Sequence, residues 1–217
     1  MNTSEFVIRP IRLDQWLPDR CLGSGRPFDP DAHPPEAGCS SLDWFHTHGS
    51  REKLEAIYRQ AIKDDGGCGF VTWHDDKVIA YHTFFSRKIA QKIKFFGWGS
   101  QEDTHEKTLV HNCLTMVKGS YLRKGVCSNL VKHSLKWAKE SGWSRFEVHL
   151  VLPDCEEGWN SEQKTCSPFW EKLGFEIYRT EEADEETRKT FPVDRRFSMY
   201  LTLQRRSTQP TDAPDKK

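Results

Sequence analysis

Several features are missing from this sequence, and each absence excludes something. No apolar run approaches the roughly 18 residues that a membrane helix requires. The opening MNTSEFVIRP has no apolar signal core. A cytoplasmic protein that engages no membrane is the expectation. Charge of one sign is not in excess, because 32 Lys and Arg residues balance 32 Asp and Glu residues. That balance removes the general electrostatic case for binding nucleic acid. None of the seven cysteines stands in a CxxC or CxxH pair, the close spacing that metal fingers and redox pairs use. Reduced thiols, several of them buried, are therefore expected. His46-Thr47-His48 offers two imidazoles but no third ligand in view, so no metal is expected. No internal repeat is present.

What the chain does have is enough aromatic bulk for one core. Eight Trp and thirteen Phe lie among 217 residues, and each buries a large apolar area. One domain over residues 1–204 is expected, followed by a disordered polar tail at 205–217 that carries Pro210 and Pro214.

The pattern along the chain alternates strands and helices. Phe6–Ile11 reads as a first strand, with Pro10 marking a sheet edge. Residues 18–42 are loop-like, rich in Pro, Gly, Asp and Ser. Ser50 is placed as an N-cap ahead of a helix over Arg51–Lys63, with Leu54, Ile57, Tyr58, Ala61 and Ile62 at helical spacing. Gly69–Trp73 and Lys77–Ser86 form a hairpin around His74-Asp75-Asp76. Residues 87–107 carry the aromatic cluster Phe95-Phe96-Gly97-Trp98 but no assignable period. Thr108–Val117 is a strand, Val126–Ser141 a helix stopped by Gly142, and Arg145–Leu152 a strand. Pro168–Leu173 is a short helix. Phe175–Thr180 and Phe197–Leu203 close the sheet as an antiparallel pair around the solvated acidic run Glu181–Glu186. The class is α/β of the α+β kind, a mostly antiparallel sheet covered by helices.

Chemistry concentrates where the strand ending at Val117 passes through Lys118-Gly119-Ser120-Tyr121-Leu122-Arg123-Lys124-Gly125 into the helix. The first turn of a helix leaves backbone N–H groups without intrahelical partners, and the macrodipole adds positive charge there. Gly125 allows close approach, and Arg123 and Lys124 add charge, which together suit an anion the size of a pyrophosphate. The spacing is neither a Walker A loop nor a three-glycine dinucleotide loop.

This segment resembles the acetyl-CoA-binding turn of the GNAT N-acetyltransferases, written Q/R-x-x-G-x-G/A. Gly125 matches, Leu122 stands for the Gln or Arg with Arg123 beside it, and Cys127 replaces the second small residue. Tyr121-Leu122-Arg123-Lys124-Gly125-Val126 is similar to the family's YRGKGIG run. Phe169-Trp170-Glu171-Lys172-Leu173-Gly174-Phe175-Glu176 resembles its FYEKLGFE signature. Resemblance of detail covers about 70–204.

The resemblance implies a single mixed sheet whose central parallel strands, 108–117 and 145–152, splay apart. It implies acetyl transfer from acetyl-CoA to a primary amine of a small molecule or peptide, by direct attack on the thioester and without a metal. The backbone of Thr115 and Val117 would lie beside the pantetheine arm. Backbone N–H groups of Leu122, Arg123, Lys124, Gly125, Val126, Cys127, Ser128 and Asn129 would hold the pyrophosphate, and an N–H near Val117 would face the oxyanion. Trp170 occupies the place of the family's Tyr acid, and an indole N–H is no useful acid. Tyr178, Tyr121 and Ser167 are the substitutes considered. A non-catalytic acyl-CoA sensor of the same fold is the alternative.

For the base, strand period puts Glu147 and His149 on one face. It puts His111 on a face with Cys113, Thr115 and Val117. His111, Glu147 and His149 are the catalytic candidates, and His suits proton transfer near neutral pH. Cys113 beside His111 has the arrangement of a nucleophile for an acyl relay, against direct transfer as the family's usual route. The closing strands also allow pairing between subunits in a homodimer.

Overall fold

The structure, a computed structural model, describes residues 6–16, 51–92, 107–117, 120–121, 123–153, 166–183, 185, 188 and 193–203. The loop at 18–42, the Ser50 cap, the His46/His48 pair, the aromatic cluster at 95–98, Leu122 and the tail at 205–217 lie outside these residues.

Among the described residues seven strands form one sheet: β1 (Val7–Pro10), β2 (Gly69–His74), β3 (Lys77–Ser86), β4 (Thr108–Met116), β5 (Arg145–Val151), β6 (Glu176–Glu182) and β7 (Arg195–Thr202). Their order is β1-β2-β3-β4-β5-β7-β6. Every neighbouring pair is antiparallel except β4 and β5. Helices α1 (Arg51–Asp65), α2 (Arg87–Lys92), α3 (Val126–Glu140) and α4 (Ser167–Glu171) complete the described elements. Helix α2 lies in the stretch where the sequence shows no period, because six residues are too few to display one.

Local chemistry explains the joints. Asp75 and Asp76 both have positive φ, 47° and 58°, and sit between the paired residues His74 and Lys77. This is the two-residue turn whose twist suits a hairpin, and Asp tolerates the left-handed region. Gly142 ends α3 at φ 79°, and the Trp143 N–H donates back to the Ala138 carbonyl at 2.9 Å.

Each sheet face has its own core. On the α3 side, Phe84, Leu109, Leu130, Phe146, Trp170 and Met199 pack together. On the α1 and α2 side, Leu54, Tyr58, Tyr81, Phe85, Ile89 and Val110 do so. Cys68, Cys113 and Cys127 are buried and reduced. Cys166 is disulfide-bonded, which corrects the expectation of reduced cysteines throughout. No helix among the described residues is long and apolar enough to cross a membrane.

Two features shape the centre of the sheet. Parallel pairing of β4 with β5 covers only Thr108↔Arg145, Leu109↔Phe146 and Val110↔Glu147. Beyond Val110 the two strands part, as the resemblance implies. The second feature is irregular register. Thr83 opposes Cys113 while Phe84 opposes His111, so Asn112 is an extra residue in β4. A bulge of this kind re-aims the side chains around it. The expected shared face of His111 and Cys113 is thereby corrected: His111 faces His82 on the α3 side, and Cys113 faces Tyr81 on the other.

Gly69 is where the sheet tolerates no side chain. It has φ 144°, and a Cβ there would lie 2.2 Å from the His82 carbonyl oxygen and 2.9 Å from the Thr83 Cα. Both are backbone atoms that cannot step aside. Gly69→Ala is expected to destabilise the fold by about 2 kcal/mol or more, read as a lowered urea midpoint. An unchanged midpoint would contradict this register.

Candidate functional site

The site forms where β4 and β5 diverge. Glu147, on β5, is fully buried. A buried carboxylate needs partners, and three cationic or hydrogen-bonding side chains supply them. Arg87, at the start of α2, hydrogen-bonds and ion-pairs with Oε1. The Arg145 Nε lies 2.7 Å from the same oxygen, and its guanidinium lies over the Tyr200 and Tyr178 rings, 4.1 and 4.9 Å from their centroids. His149 Nε2 stands 3.3 Å from Oε2. Burial opposes ionisation of Glu147, but hydrogen bonds from His149 and Arg87, with the Arg87 charge, outweigh it and lower its pKa. Glu147 is a fixed anion and not a proton acceptor at neutral pH.

His149 is placed by two further bulges. Val148 opposes Met199 and Val151 opposes Phe197, which leaves His149 and Leu150 facing Ser198. Tyr178 is likewise the extra residue of β6 between Ile177 and Arg179. Ser198 Oγ consequently lies 3.0 Å from His149 Nδ1, and Tyr178 Oη lies 3.4 Å from Nε2. A carboxylate only accepts, so neutral His149 carries its proton on Nε2 and donates to Glu147. Ser198 then donates to the lone pair on Nδ1. Burial pushes the His149 pKa below 6.5, and Glu147 offsets part of that shift. Glu147, His149 and Ser198 thus form one connected chain.

His111 belongs to a separate group. Its Nδ1 is 3.1 Å from His82 Nε2, and its ring meets Trp170 edge-on at 5.1 Å. Burial, then the nearby His149, pushes its pKa down to about 3. Trp170 is fully buried, and its indole N–H finds no hydrogen-bond acceptor among the described residues. Of the substitutes for the missing Tyr, Tyr121 is bound to His74 at 3.1 Å and Ser167 is buried. Tyr178 alone of the three touches the polar cluster. Cys113 donates to the Tyr81 hydroxyl at 3.7 Å on the opposite face from His111, so the two do not make a nucleophile and base pair.

The basic turn and β4 supply backbone groups. Gly125 is the N-cap of α3 at φ 75°, with no side-chain cap. Arg123 is also left-handed, at φ 59°, and both Arg123 and Lys124 are exposed. The Asn129 N–H is already donated to the Gly125 carbonyl at 2.9 Å, so it closes the helix and does not face an anion. Cys127 is buried with its thiol 3.8 Å from the Met116 sulfur. The Val117 N–H donates to the Ile79 carbonyl at 2.8 Å. It points to β3, away from the gap, and cannot serve as the expected oxyanion donor. Backbone groups alternate along a strand, and Thr115 pairs with Tyr81 in the same register as Val117 with Ile79. The groups of Leu114 and Met116 are then the ones directed at the gap, one residue out of step with the expected Thr115 and Val117.

Arg87, Ser198, His82 and Ser134 were not singled out from sequence. Polar residues within otherwise apolar strands are the available signal for Ser198 and His82. Nothing local marks Arg87. Among the described residues no three His, Cys, Asp or Glu side chains gather as a metal site.

A seven-stranded mixed sheet that opens at a central parallel pair, with a basic turn at the next helix, defines the acyltransferase architecture that the sequence resembles. Comparison with known proteins agrees. The model of the "Acetyltransferase (GNAT) family" matches residues 36–175, and the chain belongs to that family. Solved structures share the fold at low identity. One is an acetyltransferase of the GNAT family from Streptococcus pneumoniae, with 12% identity, TM-score 0.53, and 92% of this chain and 100% of that chain covered. Another is the ribosomal-protein-S18-alanine N-acetyltransferase from Escherichia coli, with 11% identity, TM-score 0.52, and coverage of 93% and 96%. A third is an N-acetyltransferase from Staphylococcus aureus Mu50, with 14% identity, TM-score 0.53, and coverage of 93% and 100%. No curated protein matches in sequence.

The depressed histidines make stability depend on pH. The folded His111 titrates at about 3 against an ordinary 6.5. The unfolded chain therefore binds more protons than the native one between those values. The contribution is fully present above 6.5 and declines as pH falls toward 3. The urea midpoint of the wild type should drop over that window more steeply than that of His111→Asn. Parallel pH profiles would show that His111 is not held neutral.

Proposed function

We propose that this protein transfers an acetyl group from acetyl-CoA to a primary amine of a small molecule or peptide. The observation that carries the reading is the Glu147–His149–Ser198 chain lying where β4 and β5 part. The pantetheine arm would pair with the free edge of β4 at Leu114 and Met116, as an added strand. The pyrophosphate would rest on the first turn of α3, beside Arg123, Lys124 and Gly125, among the N–H groups of Val126, Cys127 and Ser128. Gly125 leaves that approach clear: a Cβ there would meet nothing nearer than the Asn129 amide at 3.9 Å.

The amine nitrogen attacks the thioester carbonyl and must lose a proton. Ser198 Oγ takes up that proton while handing its own to His149 Nδ1, and the resulting imidazolium is stabilised by Glu147. This is a base oriented by a third group. Most of the acceleration comes from holding the two substrates together, about 7–11 kcal/mol for well-oriented groups. The acceptor is an amine that reaches the gap from the α1 and α2 face, where Glu147 and Arg87 lie. Tyr178 is the group best placed to hydrogen-bond the departing thiolate. The protein acts in the cytoplasm, without a metal, nucleic acid or membrane.

Thiol release should be followed with acetyl-CoA and a panel of an alanyl peptide, a lysyl peptide, spermidine and propylamine. His149→Gln is expected to lower kcat by about 10²–10⁴, the usual worth of a positioned base, with the KM for acetyl-CoA little changed. Tight acetyl-CoA binding with no turnover on any amine would favour the sensor reading instead.

The pH profile gives a second test. Glu147 raises the His149 pKa against burial, so its loss must lower that pKa further. The acid limb of kcat should lie below pH 6.5 in the wild type and move to still lower pH in Glu147→Gln. A limb that moves upward would remove His149 from the role of base.

A further inference from the structure

His111 does not share the proton path of His149, yet it is held by a chain of its own. Ser134 lies in α3, fully buried, and its hydroxyl donates to the Leu130 carbonyl at 3.1 Å. A hydroxyl has one proton. Its oxygen therefore meets His82 Nδ1, 2.9 Å away, as an acceptor. His82 is fully buried, and the rings around it are Phe84, Phe146 and His111. No carboxylate among the described residues pairs with it, and burial, then His111, pushes its pKa well below 6.5. It is neutral, with its one proton on Nδ1 and a lone pair on Nε2. That lone pair faces His111 Nδ1 at 3.1 Å, so His111 is the donor there. A neutral His111 then has a bare Nε2.

We propose that Ser134 and His82 are positioning residues that lock His111 in the Nδ1–H tautomer, so that its Nε2 lone pair accepts one N–H of the acceptor amine where β4 leaves β5. His111 occupies the first position of β4 past the last residue paired with β5. An imidazole that titrates near 3 does not take a proton from an ammonium. It accepts a hydrogen bond and gives none back. Such an acceptor fixes an amine through its N–H and leaves the nitrogen lone pair to the thioester carbonyl. The two histidines of the gap therefore divide the work: His111 orients the nucleophile and His149 receives its proton. This inference rests on the acetyl-transfer reading.

The lock itself is measurable without any substrate. Long-range ¹H–¹⁵N spectra of protein labelled at histidine nitrogen report which ring nitrogen carries the proton. His82 and His111 should both be protonated at Nδ1 only, and stay so as the pH is lowered from 8 to 5. An Nε2–H form of either, or titration of either near 6.5, would overturn the lock. Ser134→Ala removes the acceptor for the His82 Nδ1–H and should shift His111 toward the Nε2–H tautomer. Ser134→Thr keeps a hydroxyl and should restore the original pattern. An alanine variant with unaltered tautomers would also overturn it.

Kinetics then test the use of the lone pair. With the most active amine of the panel above, Ser134→Ala should lower kcat about tenfold, the worth of one hydrogen bond, with the KM for acetyl-CoA unchanged and Ser134→Thr rescuing it. A shifted tautomer with full kcat would show that Nε2 does not touch the amine. Failure of every amine would defeat the functional reading and with it the role of His111, while the tautomer spectra would still decide the lock.

Discussion

Parallel pairing between β4 and β5 lasts three residues, and then each strand carries backbone groups that its neighbour no longer satisfies. Unpaired backbone inside a protein is costly. A sheet that opens in its middle must therefore end there, fill the opening, or leave it for a ligand. The irregularities of this fold cluster around that opening. Asn112 bulges from β4, His149 and Leu150 from β5, and Tyr178 from β6. Around them His111, His149 and Tyr178 make their polar contacts at the site, and the regular alternation of core and solvent is broken.

The polar interior that results is stable because its members satisfy one another. Glu147 carries a buried charge answered by Arg87 and Arg145, and the His149 ring hydrogen-bonds on both nitrogens. Removing one partner of such a network leaves another charged and buried, which is far costlier than losing a surface pair. Arg87 has a particular part in this. It begins α2 directly after β3 and reaches across to β5, so it ties the two halves of the opened sheet on one face. On the other face the chain from Ser134 through His82 to His111 joins α3 to β4. The gap is thus braced from both sides by hydrogen bonds, where a continuous sheet would use its ladder.

Much of this was legible in the sequence. Helical spacing located α1 and α3. The His74-Asp75-Asp76 turn located the hairpin, and the two family-like runs at 121–126 and 169–176 located the basic turn before α3 and the helix α4. Glu147 and His149 emerged from strand period because β5 is regular up to that point. Strand period alone put His111 on the face of Cys113, whereas the one inserted residue, Asn112, inverts a period of two and leaves no mark in composition. It also put Thr115 and Val117 at the gap, whereas the Val117 N–H is bonded to Ile79. That parity depends on which neighbouring strand takes each hydrogen bond, and pairing is set by tertiary structure. Ser198 and Arg87 reach the site through contacts with residues 49 and 60 positions away, a separation that no local pattern encodes.

On the proposed reading the free edge of β4 receives the acyl-CoA. Amide hydrogen exchange, resolved by residue, tests it most directly. The amides of Leu114 and Met116 should slow on saturation with acetyl-CoA. Those of Thr115 and Val117, in register with β3, should be slow already and change little. Protection that appears at Val117 and not at Met116, or no protection along β4 despite demonstrated binding, would contradict the account.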